Sequence, residues 1–118
     1  MGLAQAAELN GFPGPMHVLE LADRLELTSA QSAATSSLMT QHKADVRLLG
    51  ARLVEAEREL DVLFRDKRAT EATIRQRTEA IAMLQAQIRT SHLHTHLKQA
   101  ELLTSAKDDL YNTLRGYQ

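Results

Sequence analysis

Residues 39–63 read MTQHKADVRLLGARLVEAERELDVL, with Met39, His42, Val46, Leu49, Leu53, Ala56, Leu60 and Leu63 at alternating steps of three and four. That spacing places one stripe of side chains along one side of a helix, a heptad seam. Just upstream, Leu27-Thr28-Ser29-Ala30-Gln31 carries a capping box: Thr28 and Gln31 stand three apart, each able to satisfy the other's free backbone N–H. The two signals together predict one helix over 29–65, roughly 55 Å long at ~1.5 Å per residue.

Downstream, Arg65-Asp66-Lys67-Arg68-Ala69-Thr70 reads as a hairpin. Basic residues suit the end of the first helix, and Thr70 and Glu71 suit the start of a second. That helix carries Ile74, Ile81, Leu84 and Ile88, then Leu93, Leu97, Ala100 and Leu103. Leu103-Thr104-Ser105-Ala106-Lys107 opens a last short helix with Leu110, Tyr111 and Leu114, with Asp108 and Asp109 in its first turn and Gly116 as its stop. At the other end, Asn10-Gly11-Phe12-Pro13-Gly14-Pro15 is a turn or extended segment. Leu3, Ala6, Ala7 and Leu9 before it make a short helix or a loose arm. Val18, Leu21, Ala22 and Leu25 after it make a helix of two to three turns, with Pro15 at its first position. The expected architecture is all-α: an N-terminal arm over 1–15, then over 16–118 a single long antiparallel helical hairpin with short N- and C-terminal helices. A two-helix unit leaves apolar stripes uncovered, which predicts a homodimer.

Composition narrows the function. The 118 residues carry 14 Lys+Arg against 15 Asp+Glu, a net charge of −1, so no basic footprint for nucleic acid is present. Cysteine is absent, which excludes disulfides, thiolate metal sites and cysteine nucleophiles. No apolar run approaches the ~20 residues of a membrane span. The first thirty residues lack a signal-peptide pattern, so the expectation is a soluble chain, or a secreted one whose leader has been removed. Gly-rich phosphate loops, Gly-x-Ser-x-Gly and His-Glu-x-x-His are all missing, and a narrow hairpin offers no deep pocket, so no enzyme is expected.

The phrase Leu-Thr-Ser-Ala occurs twice, at 27–30 and 103–106, followed by Gln31 and Lys107. With His17-Val18-Leu19-Glu20-Leu21, with His92-Leu93-His94-Thr95-His96-Leu97, and with Arg115-Gly116-Tyr117, the chain over about 14–118 resembles the periplasmic LTxxQ-motif family. That family includes the Spy- and CpxP-like chaperones and ZraP-like heavy-metal resistance sensors. The motif residues that carry the resemblance are Leu27, Thr28, Gln31, Leu103 and Thr104, and Lys107 is a departure. The resemblance implies an exported, periplasmic, all-helical and often dimeric protein.

Histidines are the candidate chemistry. His92 and His96 are four residues apart on one helix face, within reach of a single metal ion, while His94 points away. His42 takes a seam position, and with the turn centred near 67–68 it faces position 93. Folding the short helix back would bring His17 toward Met39 and His42. The candidate ligands are therefore His17, His42, His92 and His96. Nitrogen ligands without thiolates suit Zn(II), Ni(II), Co(II) or Cu(II); Met16 or Met39 could add a soft ligand. The same histidines would also fit a metal-free role flanking a dimer seam. Two functions follow. The first is a metal-binding accessory protein of envelope or heavy-metal stress, with an envelope-stress sensor as partner. The alternative is an ATP-independent holdase for unfolded clients. A third reading is a purely structural coiled-coil partner.

Overall fold

The computed structural model describes residues 2–116. Tyr117 lies outside the described residues, as do the side chains of Ser105, Ala106 and Asp108. Five helices follow in order: α1 (Gln5–Glu8), α2 (Pro15–Glu20), α3 (Ser29–Arg65), α4 (Glu71–Leu102) and α5 (Ser105–Arg115). Helices account for 78% of the structure, and the described residues include no strand. α3 and α4 form the long antiparallel hairpin, and the molecule measures 59 × 27 × 18 Å.

Both long helices begin where their caps dictate. The Thr28 hydroxyl accepts from the Gln31 N–H at 3.0 Å, and the Gln31 amide oxygen accepts from the Thr28 N–H at 3.0 Å. Thr70 forms the same reciprocal arrangement with Thr73. The tip reverses without glycine. Lys67 takes a left-handed φ of 57°, the Arg68 N–H reaches back to the Leu63 carbonyl, and the Lys67 N–H to that of Phe64. These are the two hydrogen bonds of a Schellman motif.

The same device ends the shorter helices. α2 is shorter than its apolar spacing suggests, giving way after Glu20 to turns that run to Glu26. Glu26 (φ 54°) then closes them, with the Leu27 N–H on the Ala22 carbonyl. Gly11 (φ 87°) plays that part after α1, with the Phe12 N–H on the Ala7 carbonyl.

The compact core lies at the open end of the hairpin. Val18, Leu25, Leu103 and Tyr111 are buried together, with Leu21, Leu27 and Leu114 packed around them. Tyr111 is fully buried. The two Leu-Thr-Ser-Ala phrases meet here. The Gln31 side-chain amide donates to the Leu102 carbonyl at 3.2 Å, and Lys107 Nζ donates to Gln31 Oε1 at 2.7 Å and to the Glu26 carbonyl at 2.8 Å. Lysine has no acceptor with which to complete a capping box. Its ammonium instead stitches the second phrase to the first.

The seam on α3 runs as expected: Ala56 is buried, and Met39, His42, Val46, Leu49, Leu53, Leu60 and Leu63 are half-buried. On α4 the expected row needs correction at Leu97; Leu93 and Ala100 are half-buried and Leu103 is buried. Leu97 is 49% exposed, whereas Thr95 and Gln99 are buried. The heptad itself continues unbroken: seven-residue steps from Ile74 through Ile81 and Ile88 land on Thr95, and the step from Leu84 lands on Ser91. Apolar side chains leave the register there, so the seam turns polar toward the base. The fully buried Gln99 amide donates to Thr35 Oγ1 at 3.0 Å across it.

Thr28→Ala should cost about 1 kcal/mol, as the loss of an N-cap does. Gln31→Ala should cost more, about 2 kcal/mol, because it also severs the links to Leu102 and Lys107. Urea denaturation of both variants checks this; equal losses would show that the stitch contributes nothing.

Candidate functional site

His42 projects from the seam of α3 into the polar stretch of α4. Its Nε2 lies 3.2 Å from His92 Nδ1, its Nδ1 lies 3.1 Å from Ser91 Oγ, and the two rings meet edge-on with centroids 4.3 Å apart. The partner is within one residue of the facing position that the hairpin arithmetic predicts. A continuous proton chain, Ser91–His42–His92, satisfies these contacts in either direction, because hydroxyl and neutral imidazole each donate and accept. Burial holds both imidazoles below the ordinary histidine pKa. For His42 the nearby Asp45 opposes this and His96 adds to it; for His92, His42 and then His96 add to it.

His96 sits one turn further along α4, at the seat of the N-terminal segment. Its Nδ1 is 2.7 Å from the Phe12 carbonyl oxygen. A carbonyl only accepts, so Nδ1 carries the proton and Nε2 the lone pair. Glu8 of α1 approaches the same Nδ1 at 3.5 Å. The other Glu8 oxygen accepts from the Tyr111 hydroxyl and lies 3.9 Å from Arg115 Nε. Gly14 passes so close to the ring that a Cβ there would come within 2.9 Å of His96 Cε1. Glycine is what lets the Pro13–Pro15 segment lie against His96. On α2, His17 Nδ1 is 3.0 Å from Glu20 Oε2, which again places the proton on Nδ1 and, in the neutral ring, the lone pair on Nε2.

α1 and α2 thus enclose a groove against the hairpin. Its volume is about 1050 Å³, and His17, His42, His92 and His96 all line it, together with Met16 and Met39. The segment before α3 docks on the hairpin and supplies a wall that the hairpin alone lacks. His94 is exposed and lines a separate, smaller depression, as its helical position requires. The four candidate ligands share one groove, but the structure does not gather them into one cluster. Among the described residues, no group of three or more His, Asp or Glu is arranged to hold a metal ion.

Sequence reasoning missed Glu8, Gly14, Ser91 and the Phe12 carbonyl. Ser91 was findable, since it falls on the heptad step from Leu84. The carbonyl carries no signal in its side chain. The chain finds no match among protein-family models, curated proteins or solved structures. No helix among the described residues is long and apolar enough to cross a membrane.

The lowered pKa values of His42 and His92 have a defined consequence for stability. As pH falls, the unfolded chain takes up protons first, near ~6.5, so the contribution is complete above that value and is lost as pH drops through the lower folded values. The melting temperature should therefore fall between about pH 7 and pH 5. In a His42→Gln/His92→Gln variant that fall should be shallower, as thermal melts followed by circular dichroism would show. An unchanged slope would mean that the pair does not carry it.

Proposed function

We propose that the protein is a periplasmic accessory protein of envelope or heavy-metal stress that binds a divalent metal, in keeping with its resemblance to the LTxxQ-motif family. The observation that carries this reading is the state of the ring nitrogens. His17 and His96 each have Nδ1 engaged by an oxygen acceptor and Nε2 left with its lone pair beside the same groove. Such partners behind a ligating imidazole are what fixes its tautomer and orientation in metal sites.

The His42–His92 pair fits a metal as well. Two imidazole nitrogens on one tetrahedral zinc, each ~2.0–2.1 Å from it, stand about 3.3 Å apart. His42 Nε2 and His92 Nδ1 are separated by 3.2 Å. Their lowered pKa values keep both rings neutral, and hence able to ligate, at pH 7. His42 and His92 would hold the ion first, with Ser91 behind His42. His96 and then His17 would join through Nε2, tying the N-terminal segment to the hairpin. A sensor or a dimer partner would read that tie as a change at the base of the hairpin.

A second reading, an ATP-independent holdase acting as a homodimer, is favoured by one observation. Leu48, Val54, Phe64 and Met83 on the hairpin arms are each more than half exposed, apolar surface suited to a second copy or to an unfolded client. Suppression of client aggregation that survives a chelator would put this reading first.

Calorimetric titration with zinc and nickel at about pH 7 and pH 5 tests the metal reading. Binding should be tighter than about millimolar at the higher pH and should weaken at the lower. His42→Ala, His92→Ala and His96→Ala should each weaken it severely, His17→Ala less, and His94→Ala hardly at all. Equal losses at His94 and His92 would indicate a loose histidine tract, and no binding by the wild type would remove the reading.

A further inference from the structure

The groove is far larger than a metal ion needs, and most of its wall is not histidine. Leu3, Leu9, Pro15, Met16, Met39 and Val46 line it. Leu9 and Met16 are about half exposed, at 48% and 53%. Its volume of about 1050 Å³ lies just above the range of small-molecule sites, roughly 300–1,000 Å³.

The charges on this wall are one-sided. Lys43 and Arg47 line the groove from adjacent turns of α3, and neither has an ion-pair partner among the described residues. Two like charges four residues apart weaken a helix by a few tenths of a kcal/mol. Glu8 is the one carboxylate lining the groove among the described residues, and it is already engaged by Tyr111, Arg115 and His96.

We infer that the groove binds a single-chain fatty carboxylate, with its headgroup on Lys43 and Arg47 and its aliphatic chain along Met39, Val46, Met16 and Leu9. An ammonium beside a guanidinium is a fitting receptor for a carboxylate, because the guanidinium fork can hold both oxygens. The apolar wall supplies the hydrophobic term along the chain. This site shares the groove of the metal reading but not its ligands, since the headgroup rests on α3 cations and not on the imidazoles.

The experiment is displacement of an apolar fluorophore from the full chain by dodecanoate, with dodecyltrimethylammonium and butyrate as comparisons, all below their micelle concentrations. Dodecanoate should displace the probe, with the cationic analogue and the short acid each at least tenfold weaker. Lys43→Gln/Arg47→Gln should weaken dodecanoate by about ten- to hundredfold, the loss of charge-assisted hydrogen bonds, with an unchanged circular dichroism spectrum because both side chains are exposed. Displacement by dodecanoate should be the same with and without a metal chelator, which separates this site from metal binding. Equal displacement by both dodecyl compounds, an unaffected Lys43→Gln/Arg47→Gln variant, or no displacement at all would each overturn the inference.

Discussion

The Lys107 ammonium, held between the Glu26 carbonyl and the Gln31 side-chain oxygen, is the contact on which the base of the molecule depends. Glu26 ends the turns after α2, Gln31 caps α3, and Lys107 belongs to the first turn of α5. One side chain therefore fixes the end of one segment, the start of a second and the position of a third. With these held together, Val18, Leu25, Leu103 and Tyr111 close into a core, and α2 has a single place to lie. The groove exists because α2 lies there, and because Gly11 turns the chain so that the Phe12 carbonyl meets His96.

The seam of the hairpin divides the molecule by chemistry. Toward the tip it is apolar, with Ile81 and Ala56 buried. Toward the base it carries Thr35, Gln99, His42, Ser91 and Thr95. Buried polar groups contribute little net stability, yet leaving one unpaired costs about 1–3 kcal/mol. Such a seam favours the register in which the polar partners meet. His42 can occupy it because His92 and Ser91 are at hand, and that pairing puts the imidazoles on the wall of the groove.

Much of this was legible from residue spacing. Thr28 with Gln31, the heptad from Met39 to Leu63 and the Arg65–Thr70 break set the long helices and their pairing, which in turn set His42 opposite His92. The base of α4 departs from the sequence reading at Leu97, which looks like a continuing seam although the register passes to Thr95 and Gln99. Hydrophobicity and periodicity part there, and periodicity governs which side chains face α3. The groove was legible only in part: the folding back of the short helix toward Met39 and His42 follows from the sequence, the docking of the segment before it does not. Its docked wall depends on the left-handed turn at Glu26, which glycine-based rules overlook, and on the Phe12 carbonyl, which no side chain announces.

The central claim is that acceptors on Nδ1, the Phe12 carbonyl for His96 and Glu20 for His17, leave the lone pair of each ring on Nε2 in residues that line one groove. Long-range proton–nitrogen correlation of the histidine rings at about pH 8, above the ordinary imidazole range, tests it most directly. The account predicts His96 and His17 as Nδ1–H tautomers, with His96 losing that preference when the segment through Phe12 is removed. A His96 found as the Nε2–H tautomer in the intact chain would contradict it, because the Phe12 carbonyl would then have no proton to accept.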